Sequence, residues 1–191
     1  MPPSPALTSR AFEELLAEHL DALYRTALRL CRGEAADAED LLQDTSLRAF
    51  EAAGTLRDPL AGRSWLFTIL ARTHLNRVRS RRRRAEDSES ELEVAAFEAA
   101  LAAWAPPATP LDVLERRQLS ERIAQAIDRL APELRAVVTL VDIEGFRQRE
   151  VAGMLALPEG TVASRLFRAR RQLRTELMLP GGQTGRRRRI K

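Results

Sequence analysis

The chain has 191 residues, an ordinary apolar share of 45% and a small positive excess of +4, carried almost wholly by arginine because Lys191 is the only lysine. One cysteine, Cys31, excludes an intramolecular disulfide, and two histidines with one cysteine are too few and too scattered for a metal site or a nucleophile–base pair, so neither an enzyme nor a bound metal or cofactor is expected. Scarce glycine, no sustained strand alternation and a dominance of Leu, Ala, Arg and Glu predict an all-α protein.

In chain order, residues 1–9 read as a disordered N-terminus; their MPPSPALTS lacks the apolar core of a signal peptide. A first helix is predicted over 10–31, where Phe12, Leu15, Leu16, His19, Leu20, Leu23, Ala27 and Leu30 recur at threes and fours, with Thr8 or Ser9 as cap. His19 and Cys31 read as packed residues, and His74 is too isolated to build a site with His19. A second helix is predicted over 34–53 with Leu41, Leu42, Leu47 and Phe50 inward, then a Gly/Pro loop over 54–63. A third helix is predicted over 64–84, entered through Ser64 and ending RSRRRR. Residues 85–111 are acidic, then alanine-rich, then broken by AWAPPATP, and read as a linker. Helices near 112–130, 132–143, 147–155 and 160–178 follow, and then a flexible basic tail over 179–191. The pattern predicts two small helical domains, 10–84 and 112–178, joined by a flexible acidic linker. No run reaches transmembrane length, which predicts a cytoplasmic protein without membrane insertion.

Charge is segregated. Residues 34–51 are acidic with Arg48 alone basic, 63–84 hold eight arginines and no acid, and 159–174 hold five arginines with Glu159 as the one acid. Such blocks point to an anionic partner for some surfaces and a basic partner for others.

In GFRQREVAGMLALPEGTVASRLFRARRQL two helices flank a short break at 157–160. Val151, Ala152 and Leu155 make the inner face of the first, and Val162, Leu166, Ala169 and Leu173 that of the second, with Thr161 as its expected cap. Pattern, break and charge together predict a helix-turn-helix with 161–174 as recognition helix. Ser164, Phe167, Arg168 and Arg171 fall on its outer face, where arginine forks onto guanine and a phenyl ring lies against a thymine methyl. Arg147, Arg149, Arg165 and Arg170 are placed for phosphates.

The run LAPELRAVVTLVDIEGFRQREVAGMLALPEGTVASRLFRAR resembles the fourth-region domain of bacterial RNA polymerase sigma factors of the extracytoplasmic-function class, group IV of the sigma-70 family. ADAEDLLQDTSLRAF and RSWLFTILARTHLNRVRSRRR resemble the second region of the same family, in the same order. The resemblance implies a non-enzymatic factor that binds core RNA polymerase and directs it to promoter DNA. It places polymerase docking on Asp40, Leu41, Gln43 and Asp44. It places capture and opening of the minus ten element on residues 54–64 with Arg63, Trp65, Arg72, Asn76, Arg77 and Arg79, Trp65 as a support for the loop. It places reading of the minus thirty-five element on Thr161, Ser164, Arg165, Phe167, Arg168 and Arg171, beside Arg147, Arg149 and Arg170 on the backbone. It also implies an anti-sigma factor as regulator. The chain departs from the family pattern at Arg147-Gln148-Arg149, at Ala163, where a basic residue is usual, and at Ala156, where glycine is usual. The rival reading is a stand-alone helix-turn-helix regulator of duplex DNA, which would need a dimerising face that the sequence does not offer.

Overall fold

The computed structural model describes residues 9–56, 58–85 and 110–178; the expected disordered N-terminus, most of the acidic linker, the basic tail and the possible cap Thr8 lie outside them. All regular structure among the described residues is helical. Helix α1 spans Ser9–Leu30, α2 Ala35–Ala52 and α3 Gly62–Ala85, and these form a three-helix unit. Helices α4 (Pro110–Asp128), α5 (Pro132–Val138), α6 (Gln148–Leu155) and α7 (Glu159–Met178) form the second unit, with α7 packed on α4, α5 and α6. Two 3₁₀ turns, Ala53–Thr55 and Pro59–Ala61, occupy the expected loop. The helix begins two residues before Ser64, at Gly62, where a Cβ would stand 2.5 Å from Leu15 Cδ1, so the absence of a side chain lets α3 start against α1.

The inward stripe of α2 is narrower than its apolar residues suggest. Ala38, Leu41, Thr45 and Ala49 are buried, while Leu47 and Phe50, expected inward, are 58% and 59% exposed. The small residues at 38 and 49 set the line of closest approach, and Leu47 lies about half a turn from it. Phe50 keeps only an edge contact with Phe12, 5.7 Å between ring centres. Leu20 is likewise exposed on α1, whereas Leu23, Ala27 and Leu30 are buried as expected.

The two units share one continuous core. Leu23, Leu41, Leu66, Phe67 and Leu70 of the first join Val137, Leu140, Phe146, Val151 and Leu166 of the second. Each such side chain, fully buried, contributes about 1.5–3 kcal/mol relative to exposure. Arg135 lies in this core, 2% exposed, and its guanidinium donates to four carbonyl oxygens: Leu30 at 2.8 Å, Asp128 at 2.9 Å, Leu130 at 2.9 Å and Ile127 at 3.3 Å. It thereby satisfies the carbonyls at the end of α4 and ties them to the last turn of α1. Burial pushes its pKa down to about 10, with Arg32 adding to the shift.

After α5 the chain widens into a π turn, Thr139–Ile143, closed by Glu144 N–H donating to Thr139 O at 2.9 Å. This turn aims Glu144 and Phe146 at the three-helix unit.

Candidate nucleic-acid interface

The helix-turn-helix is formed by α6 and α7. Arg147 precedes α6, and its N–H donates to Glu150 Oε2 at 2.7 Å, closing the first turn. At the other end Ala156 takes a left-handed conformation, φ 53°, and Leu157 N–H returns to Ala152 O at 2.9 Å. That bond satisfies a terminal carbonyl in the way a glycine usually permits. Pro158 O then accepts from Thr161 N–H at 2.9 Å and from Val162 N–H at 3.2 Å. The helix therefore begins at Glu159, and Thr161 is not its cap: the chain has already closed its first turn at Pro158.

Val162, Leu166 and Ala169 are buried and Leu173 is half-buried against the core, as the spacing predicts. The opposite face is presented outward. Ser164, Arg168 and Arg171 are exposed, and Phe167 is 68% exposed. Ser164 Oγ donates to Thr161 O, and Arg168 Nε to Ser164 O at 3.4 Å, so both polar side chains stay on their own helix. Thr161 and Arg165 are half-buried at the flank. Arg147 and Arg149 are exposed beside this face, Arg149 with a loose 3.9 Å pair to Glu159. Arg170 differs from the expectation of a free phosphate contact: its Nε donates to Asp142 Oδ2 at 3.0 Å, and this partner raises its pKa.

Of the residues expected at the minus ten element, Arg63, Arg72 and Arg77 have partners within the chain. Arg63 donates from Nη2 to Glu144 Oε2 at 3.1 Å and to Glu144 O at 3.0 Å, and lies over the rings of Phe67 and Phe146 at 4.8 and 4.3 Å. Arg72 donates to Met154 O at 2.7 Å and Gly153 O at 3.2 Å, at the C-terminal end of α6. Arg77 donates to Asp44 Oδ2 at 2.6 Å and Asp40 O at 2.9 Å. Asn76 is exposed and accepts from Arg79 at 3.3 Å. Trp65 is half-buried against the core. Arg81 forks onto Asp37 with both bonds at 2.8 Å, and each raises or lowers the other's pKa toward the charged form, chiefly through that hydrogen bond.

Among the residues expected to dock on polymerase, Asp40 and Gln43 are exposed and Asp44 shares its carboxylate with Arg77. Leu41 is fully buried, so it presents no surface; its part is to hold α2 on the core. The acidic face of α2 is thus already partly neutralised by α3.

Sequence reasoning missed the carboxylate at the centre of the closed arrangement. Glu144 accepts from Thr26 Oγ1 at 2.7 Å, pairs with Arg29 Nη1 at 3.6 Å and with Arg63 at 3.1 Å. Burial lowers the pKa of Arg29 from its usual value, Glu144 opposes that shift and Arg25 adds to it. Thr26 and Glu144 are 118 residues apart, and nothing local signals their meeting. Among the described residues no group of three or more His, Cys, Asp or Glu is placed to hold a metal ion, and no helix is long and apolar enough to cross a membrane.

Comparison with known proteins covers both units. The Sigma-70 region 2 family model matches residues 15–84, and the Sigma-70, region 4 model matches residues 120–173. The ECF RNA polymerase sigma factor SigM of Mycobacterium tuberculosis is 36% identical over 170 residues, 85% of this chain and 75% of the relative. The RNA polymerase sigma-H factor of Pseudomonas aeruginosa is 31% identical over 161 residues, 84% of this chain and 83% of the relative. The ECF RNA polymerase sigma factor SigE of Mycolicibacterium smegmatis is 34% identical over 91% of this chain, which spans 64% of that relative's length. The sigma factor RpoE of Bartonella quintana, solved in complex with the anti-sigma factor NepR, superposes with a TM-score of 0.69 at 26% identity, over 90% of this chain and 99% of that one. CnrH, solved with the cytosolic domain of CnrY, superposes with a TM-score of 0.59 at 27% identity, over 91% of this chain and 92% of that one.

Proposed function

This chain belongs to the sigma-70 family, in its extracytoplasmic-function class, and we propose that it is a transcription initiation factor that binds core RNA polymerase, directs it to promoters and performs no catalysis of its own. One observation carries the reading of DNA: Ser164, Phe167, Arg168 and Arg171 stand exposed together on the outer face of a helix-turn-helix whose inner face is locked in the core. These four read the minus thirty-five element, with Thr161 and Arg165 at the flank and Arg147 and Arg149 on phosphates. Arg170 contributes a backbone contact only by exchanging Asp142 for a phosphate.

The three-helix unit over 10–84 carries polymerase docking and the minus ten element. Exposed Asp40 and Gln43 offer polymerase contacts, with Asp44 available once Arg77 turns away. Arg63, Arg72 and Arg77 meet promoter DNA after leaving their internal partners, and Asn76 and Arg79 from the exposed side of α3. The unit over 112–178 reads the upstream element, and the segment between them links the two. The chain works in the cytoplasm, under an anti-sigma factor, as RpoE of Bartonella quintana was captured with NepR.

The test is transcription of fragmented genomic DNA by core RNA polymerase with and without the purified chain. New discrete start sites sharing two spaced upstream motifs are expected. Arg168→Ala should remove them while polymerase binding persists, because Arg168 is exposed and its hydrogen bond stays within its own helix. Tight duplex binding by the chain alone, without polymerase binding or new transcripts, would establish the stand-alone regulator instead.

A further inference from the structure

Three groups of the first unit converge on one anion. The Thr26 hydroxyl, the Arg29 guanidinium and the Arg63 guanidinium all meet the Glu144 carboxylate. The Arg63 guanidinium lies over the rings of Phe67, of its own helix, and Phe146, of the second unit, which meet edge to face. Glu144 and Phe146 come from one short stretch after the π turn, so they arrive and leave together. Their departure leaves two guanidinium groups and a buried hydroxyl without their acceptor, and uncompensated charge in a partly buried site is costly. Another anion restores the balance.

We propose that Thr26, Arg29 and Arg63 form a phosphate cradle, filled by the Glu144 carboxylate in the closed chain and by a backbone phosphate of promoter DNA when the two units part. This rests on the sigma-factor reading, because DNA is the anion that reading brings to the start of α3. A phosphate oxygen offers the charge-assisted acceptor that the carboxylate offers now, and two arginines with a hydroxyl are a fitting donor set for it. The cradle continues along α3 into Arg72, which is likewise occupied by the second unit. Glu144 is then a mimic of the phosphate, and closure competes with strand binding for the same donors.

The experiment uses the full chain without polymerase and a labelled mixed-sequence single-stranded DNA of about 20 nucleotides, a length sufficient to span a single-strand site. Affinity is measured across salt concentrations for the unmodified chain, Glu144→Gln and Glu144→Gln/Arg63→Ala. Glu144→Gln is expected to bind roughly tenfold more tightly, with a salt slope steeper by about 1.4, or about 0.7 for each freed arginine. Adding Arg63→Ala should return about 0.7 of that slope. An unchanged slope in Glu144→Gln, or a steepening that survives Arg63→Ala in full, overturns the cradle. Should the variants fail to fold, small-angle neutron scattering of the unmodified chain with the oligonucleotide contrast-matched to the solvent decides: saturation should raise the radius of gyration of the protein itself, and an unchanged compact form overturns the proposal. Transcription with core polymerase is scored separately, so absent promoter-specific starts sink the sigma-factor reading and a flat titration sinks the cradle.

Discussion

Helices α3 and α7 are both rich in arginine and both face the expected path of DNA, yet they hold their charge differently. On α3, Arg63 and Arg72 are engaged by the second unit, and Arg77, Arg81 and Arg82 by Asp44, Asp37 and Glu133. On α7, Arg168 bonds only within its own helix, and Arg170 is the one drawn to an acid on another element, Asp142. The difference lies in the neighbours. Acidic α2 runs beside α3, whereas the outer face of α7 looks away from the core. An arginine run therefore predicts a cationic surface only where neither an acidic helix nor another unit of the chain packs next to it.

The sharpest test of inward-turned arginine lies on α5, at Arg135. Arg135→Ala should cost about 3–5 kcal/mol in urea unfolding, because four carbonyl oxygens lose their donor in the core. A cost within the range of ordinary surface changes would show that these bonds do not secure the end of α4 or tie it to α1.

Next comes His74, a base of α3 with no counterpart on α7. It is buried, its Nε2 has no hydrogen-bond partner, and burial lowers its pKa from 6.5 to about 4, with Arg135, Arg81 and Arg77 adding to the shift and Asp37 opposing it. The unfolded chain takes up the proton first, so stability is full above pH 6.5 and falls toward pH about 4. The loss from this residue is on the order of 3 kcal/mol. Melting scans of the unmodified chain and His74→Gln through that window should diverge at high pH and converge at low pH; parallel curves would remove His74 as the cause.

Smaller effects separate the two helices directly. Arg72→Ala should cost about 1–2 kcal/mol, since it frees two carbonyls at the end of α6. Ala156→Gly should gain about 1 kcal/mol by relieving the left-handed backbone at the entry to α7, and a melting scan reads it. Arg168→Ala should change stability by less than about 0.5 kcal/mol. Equal losses from Arg72→Ala and Arg168→Ala would erase the contrast between α3 and α7.

The helices and the helix-turn-helix were legible because their signals are local: apolar spacing, Pro158, and the stripe Val162, Leu166, Ala169. The outer face of α7 was legible for the same reason. Leu47 and Phe50 misled, because residue size suggests burial while Ala38 and Ala49 decide where helices approach. Thr161 misled because Pro158 closes the turn earlier. Leu41 sits inside the stretch that the resemblance assigns to polymerase docking and faces inward, and sequence spacing alone does not separate an exposed residue from one that supports the core. Glu144, Thr26 and Arg29 were invisible, because their meeting depends on how two units pack across more than a hundred residues of chain.

The core that runs unbroken through both units, with Arg135 bonded to Leu30, should hold them together without covalent continuity. A chain cut anywhere between residues 86 and 109 should travel as one particle on a sizing column and melt in one transition, behaving as a heterodimer made from a single gene product.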